Sequence, residues 1–293
     1  MNMTDKASID ALQATIRKTD TLPTISAIGQ RLLSLRLDTE EGERELMNLV
    51  ESDPMIAARI IGLANSPVFA PAKKICSIRD AAMVLGLSRV KAIAISIALM
   101  GPLRVRESPH FSIKKLWLHS FSMAVGMRTL SGMIPRHIRP PEDQLFLAGL
   151  LHDIGFLAFA YLERKKFDDF LTQLDAYPDR PVAELETGIL GMSHADLGAL
   201  LGRHWGLPEE ITAVIGGHHL AGVSPDPMLT LARITERILG EGAIKEEIRK
   251  ISPEEEQAEL DILGLESAHL EKASSILAQQ QEQIRILADM LGN

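Results

Sequence analysis

His152 and Asp153 stand side by side within Leu145 to Leu162, LFLAGLLHDIGFLAFAYL, a run that is otherwise apolar apart from glycine and a tyrosine. An imidazole and a carboxylate in such a setting need partners, because an unpaired buried charge is expensive. A metal ion satisfies both groups at once. The donor types suit Fe, Mn, Ni or Zn better than Ca, and a carboxylate can bridge two ions. Four further histidines fall where they could complete the set. His119 sits within a helical segment, His194 at a helix entrance, and His218-His219 near a helix end. Singly, each also reads as an ordinary residue: a hydrogen-bonded helix position, a helix start, a polar patch. The chemistry lies in the combination. Of the other histidines, His110, His137 and His269 read as solvent-facing, and His204 beside Trp205 as packing.

The elements that must position these residues read as helices throughout. Ser52-Asp53-Pro54 gives a capping oxygen and then a proline in the first turn, opening a helix through Ala64 that stops at Asn65-Ser66-Pro67. Ser77 with Asp80 resembles a capping box for Ile78 to Leu85, stopped by Gly86. Ser88 is expected to open the next helix, which ends at Gly101-Pro102. A longer periodic segment runs from Phe111 to Ser131, with Ile113, Leu116, Trp117, Phe121, Ala124 and Val125 as its apolar stripe. A Pro- and Arg-rich loop leads to a single helix holding His152, starting near Glu142. Further helices are expected over 165–176, 182–190, 195–205, 208–215 and 228–239. The tail reads as polar and acidic from Glu241 to Leu270. Beyond it Leu270, Ala273, Leu277, Ile284, Leu287 and Leu291 approximate a heptad broken by Gln280. We expect that helix to pack on the body, with homodimerisation through it as the alternative.

Composition bounds the function. With 46% apolar and 24% charged residues but only 4% aromatics, the 293-residue chain must build its core from Leu, Ile, Ala, Val and Met, a mixture that favours helix packing over sheets. The lone cysteine, Cys76, excludes an internal disulfide framework and reads as a small core residue. The start, MNMTDKASIDALQ, lacks the pattern of a signal peptide, so a cytoplasmic location is expected. Leu145 to Leu162 approaches the length of a membrane span, yet it would hold His152 and Asp153 near the bilayer centre. A buried core helix is the better reading, and no span is expected. The net charge of −8 is uneven: Arg59 to Pro140 holds thirteen Lys/Arg against Asp80 and Glu107, a local balance of +11. That segment either faces the acidic C-terminal third within one fold or forms a positive face for an anionic partner or nucleotide. It lacks the interleaved aromatics of single-strand binders, so nucleic acid is not an expected partner.

The order His119, His152-Asp153, His194, His218-His219 resembles the metal-binding pattern of the HD phosphohydrolase superfamily, and more closely that of its HDOD relatives in bacterial signalling. Four stretches carry the resemblance: Asp53-Pro54 through Asn65-Ser66; Ile78 to Leu87, IRDAAMVLGL; Gly149 to Gly155, GLLHDIG; and His194-Ala195-Asp196-Leu197-Gly198 followed by Trp205-Gly206-Leu207-Pro208 and His218-His219. It covers about Leu22 to Leu239. The resemblance implies an all-α fold in which an N-terminal helical bundle (1–110) joins an HD-like bundle (111–240), followed by an acidic segment and a C-terminal helix (241–293). It implies signal transduction through a protein partner or a nucleotide or phosphoester ligand.

If metal is held, the ligands implied are His119, His152, Asp153, His194, His218 and His219 around one or two divalent ions, with Asp153 as bridge and as the residue essential to any catalysis. The superfamily's last ligand is an Asp on a late helix, and the nearest equivalent here is Glu236. Catalytic relatives carry a Lys three residues after the Asp of the pair, where this chain has Phe156, and a Glu four residues before the first His, where it has Lys115. The Gly-Tyr-Pro of those relatives is missing after His218-His219. Three readings stand: a regulatory module with a retained metal site and weak or absent catalysis, a metal-dependent phosphohydrolase acting on a phosphomonoester or cyclic dinucleotide, and a structural scaffold without metal.

Overall fold

The computed structural model describes residues 22–71, 73–103, 105, 110–177, 180–240, 242, 244 and 250–292. The N-terminal MNMTDKASIDALQ stretch lies outside the described residues. Every regular element described is helical. The described part of the chain runs through α1 (Ala27–Ser34), α2 (Glu40–Glu51) and α3 (Pro54–Ala64), followed by α4 (Ile78–Leu85) and α5 (Leu87–Met100). Then come α6 (Ile113–Ser131), α7 (Glu142–Leu151), α8 (Ile154–Leu162), α9 (Arg164–Ala176) and α10 (Val182–Leu185). A π-helical turn (Glu186–Leu190) leads to α11 (His194–Trp205), α12 (Glu209–Gly217), α13 (Pro227–Leu239), α14 (Pro253–Leu263) and α15 (Ser267–Leu291).

Most starts follow from local chemistry. The Asp53 carboxylate accepts from the Met55 and Ile56 amides, with Pro54 in the first turn where its missing N–H costs nothing. Ser77, Ser193, Asp226 and Ser252 cap α4, α11, α13 and α14 in the same way. The α5 start differs from expectation: it begins at Leu87, without a side-chain cap, because Gly86 at φ 90° turns the chain directly from α4 into α5. The acidic tail also differs. Ser252-Pro253 opens α14 within it, and Leu260 and Leu263 are buried.

One continuous apolar core links these helices. The long helix α6 is its axis, packed by α7 on one side and by α13 and α15 on others, while α5 packs on α7 and α11 on both α8 and α12. Ala273, Leu277, Ile284, Leu287 and Leu291 of α15 are buried against the chain's own body, and Arg59 of α3 donates to the Leu291 carbonyl. The stripe that could have paired two copies is thus used within one chain.

Among the described residues, Glu142–Leu162 is the one stretch long and apolar enough to cross a membrane unaided, and 89% of its most apolar part is buried inside the fold. The joined pair α4–α5 passes only together and is bent by 113°. Two expectations fail on burial: Cys76 is exposed on the loop before α4, and His204 is exposed on α11 while its neighbour Trp205 is buried. Two acidic partners of the basic segment lie just beyond it on α7, with Lys91 4.0 Å from Asp143 and Arg128 2.9 Å from Glu142.

Candidate metal centre

The apolar run does not form one uninterrupted helix. It breaks at His152-Asp153, where Asp153 adopts φ −98°, ψ 15°, ending α7 and starting α8. The break lets adjacent side chains point into the same interior space, which an unbroken helix would send about 100° apart. Two glycines set the depth of that space. A Cβ on Gly149 would lie 2.5 Å from the Ala124 Cα, so α7 can press directly on α6. A Cβ on Gly155 would lie 1.9 Å from the His194 carbonyl oxygen, so α8 meets the start of α11 backbone to backbone. These contacts draw His119 of α6, His152-Asp153 and His194 together. The end of α12 supplies His218-His219, and α13 supplies Glu236.

The two oxygens of Asp153 divide the histidines. Oδ1 lies 3.6 Å from Nε2 of His194 and 3.5 Å from Nε2 of His218. Oδ2 lies 3.3 Å from Nε2 of His152 and 3.6 Å from Nε2 of His119. Glu236 closes the second group, with Oε1 3.1 Å from His119 and Oε2 3.6 Å from His152. All of these residues are buried, and His219, which joins the first group, is half-buried. The structure therefore brings together all seven residues that the sequence reading singled out, in two groups sharing one carboxylate.

The imidazoles are oriented from behind. Nδ1 of His152 lies 2.8 Å from the Gly149 carbonyl oxygen, and Nδ1 of His218 2.9 Å from that of Ile215. Nδ1 of His194 lies 2.7 Å from Oε1 of Glu186. Each of these oxygens can only accept, so each Nδ1 carries the proton and each Nε2 presents a lone pair inward. The Nε2 atoms of His194 and His218 then face one another at 3.3 Å, an arrangement that calls for a cation between them. Nε2 of His152, both Asp153 oxygens and Oε2 of Glu236 are buried without a hydrogen bond. Separations of 3.3–3.6 Å exceed good hydrogen bonds, yet ligand atoms held tetrahedrally at ~2.1 Å from one ion sit about 3.4 Å apart. By donor type, orientation and spacing, the residues fit a divalent transition metal.

The electrostatics agree. Burial alone would raise the Asp153 carboxyl, but His152, His218 and His119 outweigh it and hold it well below the usual carboxylate range. Glu236, also opposed by burial, is held down to about 2 by His119 and His152. Burial, reinforced by His219, pushes the His218 imidazole down to about 4. Asp153 and Glu236 are thus held as carboxylates and His218 as a neutral imidazole, the forms that bind metal.

Glu186 escaped the sequence reading. It is buried in the π-helical turn, eight residues before the histidine it supports, and also accepts from the His194 amide at 3.3 Å. Arg233 escaped it too: its buried guanidinium donates to the carbonyls of Gly217 and Gly222, fastening the segment around His218-His219. Phe156 is fully buried, with its ring stacked on His194 at 3.9 Å and 20°. Lys115 is exposed on the outside of α6.

Several known proteins share this architecture. A crystal structure from Marinobacter aquaeolei VT8, provisionally described as a signal transduction protein, matches with TM-score 0.84 and 27% identity, covering 99% of this chain and 66% of that one. An HDOD domain protein of unknown function from Geobacter sulfurreducens matches with TM-score 0.76 and 23% identity over 98% of both chains. A Shewanella amazonensis SB2B protein, provisionally described as a metal-dependent phosphohydrolase, matches with TM-score 0.60 and 20% identity, covering 97% and 99%. At the last two identities the likeness is one of fold. An uncharacterized protein of Treponema pallidum (strain Nichols) is 26% identical over 218 residues, which are 71% of this chain but 40% of that relative. The chain thus spans two fifths of that curated relative and about two thirds of the Marinobacter protein. The HDOD domain matches residues 22–221, well over half of the sequence, and the chain belongs to the HDOD family.

Proposed function

We propose that this chain is a regulatory module of bacterial signal transduction that holds one or two divalent ions at Asp153 and has little or no hydrolytic activity. The observation that carries the reading is the stack of Phe156 on His194: a metal-fit donor set whose wall is an apolar ring. Bound there, the ions would supply Lewis-acid polarisation and structural cross-linking of α6, α7, α11, α12 and α13. His119, His152 and Glu236 would hold an ion on one side, His194, His218 and His219 one on the other, and Asp153 would serve both groups. Phe156 excludes water and offers no cation to a phosphate on its side, a loss that in comparable sites costs a few kcal/mol of transition-state stabilisation. Lys115 offers no carboxylate to the site either. The described similarity to a signal transduction protein supports a protein partner whose binding reports the state of the centre.

The second reading, a metal-dependent phosphohydrolase, is favoured by the completeness of the ligand set and by half-buried His219, beside which Leu220 is 60% exposed and a ligand could enter. Metal analysis of the purified chain, followed by phosphomonoesters, cyclic dinucleotides and a chromogenic diester, separates the two. The regulatory reading expects stoichiometric Fe, Mn, Ni or Zn and turnover no greater than that of Asp153→Asn. Turnover abolished by Asp153→Asn establishes the hydrolase instead. A chain that neither contains nor takes up metal refutes both.

A further inference from the structure

Away from the histidines, α5, α6, α7 and α15 enclose a cavity of about 140 Å³ that opens to the surface. Ile93, Phe121, Phe146, Ile284 and Leu287 make it apolar. A cavity of roughly 150 Å³ lined by aliphatic and aromatic side chains is enough to admit benzene. Polar groups stand on the same wall. Arg89 lines the cavity half-buried, and its guanidinium makes no hydrogen bond or ion pair within the described residues. Arg128 lines it too, already paired with Glu142 at 2.9 Å. The third group is Gln280, the residue that breaks the heptad of α15. It faces the cavity half-buried, at the position where the repeat would place an apolar side chain.

A half-buried guanidinium whose one nearby carboxylate, Glu142, is already paired with Arg128 is costly, and its planar fork matches a carboxylate. A second cation nearby increases the need for one. Burial, and then the charge of Arg128, push the Arg89 guanidinium down from its ordinary value, with Glu142 only partly opposing them. The Gln280 amide adds a neutral donor on the facing helix. Ile93, Phe121, Phe146 and Ile284 line the volume in which an apolar body fits.

We propose that this cavity binds a small carboxylate with a benzene-sized apolar body, its head held by Arg89 with Gln280 and its body between Phe121, Phe146 and Ile284. The site is separate from the candidate metal centre, and its occupancy does not depend on an ion there. Because Gln280, Gln283, Ile284 and Leu287 form one wall, a bound acid also fastens α15 to the body.

The test titrates the full purified chain with phenylacetate, hexanoate and, as the neutral control, 2-phenylethanol, following the Ile93 and Ile284 methyl resonances and the melting temperature. Saturable binding of phenylacetate is expected, with shifts at both methyls and slower amide exchange over 280–287. Binding should weaken about ten-fold or more for 2-phenylethanol and for Arg89→Gln, as loss of a charge-assisted hydrogen bond implies. Gln280→Leu restores the heptad and removes the amide donor with little change in side-chain volume, so it should keep or raise the melting temperature and weaken binding. No saturable binding of either acid to the wild-type chain overturns the proposal. So does undiminished binding in folded Arg89→Gln or in folded Gln280→Leu.

Discussion

Replacing Glu186 tests whether the buried imidazoles are oriented for a metal or merely packed. Its Oε1 lies 2.7 Å from Nδ1 of His194, with both side chains 2% exposed, so the contact is shielded from water. In Glu186→Gln an amide oxygen can still accept from Nδ1, and the inward lone pair on Nε2 is kept, but the negative charge that raises the basicity of the ring is lost. Removal of such a supporting group typically lowers metal affinity by ~10–100-fold. The glutamine variant should fall near the lower end, about ten-fold, which is ~1.4 kcal/mol. Glu186→Ala removes the acceptor altogether. It leaves a buried N–H unsatisfied at a stability cost of about 1–3 kcal/mol and frees the ring to turn, so its affinity loss should approach ~100-fold. Titration of chelator-treated protein with Co(II), followed by its visible ligand-field bands, gives both affinity and coordination, and urea unfolding of the metal-free protein gives stability. The ordering wild type, then Gln, then Ala is the expected result. Equal Co(II) affinity in all three folded proteins would refute the idea that His194 is held for metal binding.

Three further outcomes follow from the same geometry. Gly155→Ala must push α8 from the His194 carbonyl, since its Cβ would sit 1.9 Å from that oxygen, and should cost about 1–3 kcal/mol in urea unfolding together with part of the metal affinity. Phe156→Lys, which restores the cation of catalytic relatives, places it in a fully buried stack; it should lose ~3 kcal/mol or more of stability and gain no phosphoesterase activity. Metal-free protein should be acid-labile: His218 binds a proton at about 4 when folded but at ~6.5 when unfolded, so stability is lost as pH falls from about 6.5 toward 4. Asp153 and Glu236, held below their unfolded values, add losses of the same sign at lower pH, and a melting temperature that stays level from about pH 7 to 4.5 would contradict this.

The helices readable in advance are those whose starts are written in a few adjacent residues. Asp53-Pro54 and Ser77 act through side-chain oxygens on amides two or three residues on, which spacing alone reveals. Ser252-Pro253 carries the same signal within an acidic stretch, where composition masks it and α14 is missed. Burial is not local in this sense. Cys76 and His204 resemble core residues by type, yet their sides of the fold face solvent, and no neighbour in sequence encodes that. The histidines of the centre were legible because their order resembles a family pattern. Their division between the two oxygens of Asp153 depends on the break at that residue and on contacts at Gly149 and Gly155, which join segments far apart in the chain. Glu186 was invisible for the same reason: its π-helical turn gives it a partner at a spacing that no ordinary helical pattern predicts.

The cost of the centre argues for its use. Asp153 and Glu236 are ionised at neutral pH in a core otherwise built from Leu, Ile and Phe, and their unsatisfied oxygens each carry a desolvation penalty. Replacing buried ionic groups by apolar ones of similar volume is often neutral or stabilising. A centre that never met an ion would therefore be a net cost to the fold, while one that binds an ion converts the same groups into cross-links between five helices. Phe156 sharpens the distinction between holding and reacting. An aromatic ring stacked on His194 steadies that ligand and keeps water from its face, both of which favour a long-lived bound ion. The same ring removes the place from which a cation would meet a phosphate. Under the proposed function, ion binding and hydrolysis are thus separable at this one position: the donor set would hold the ion, while Phe156 offers no cation to a phosphate.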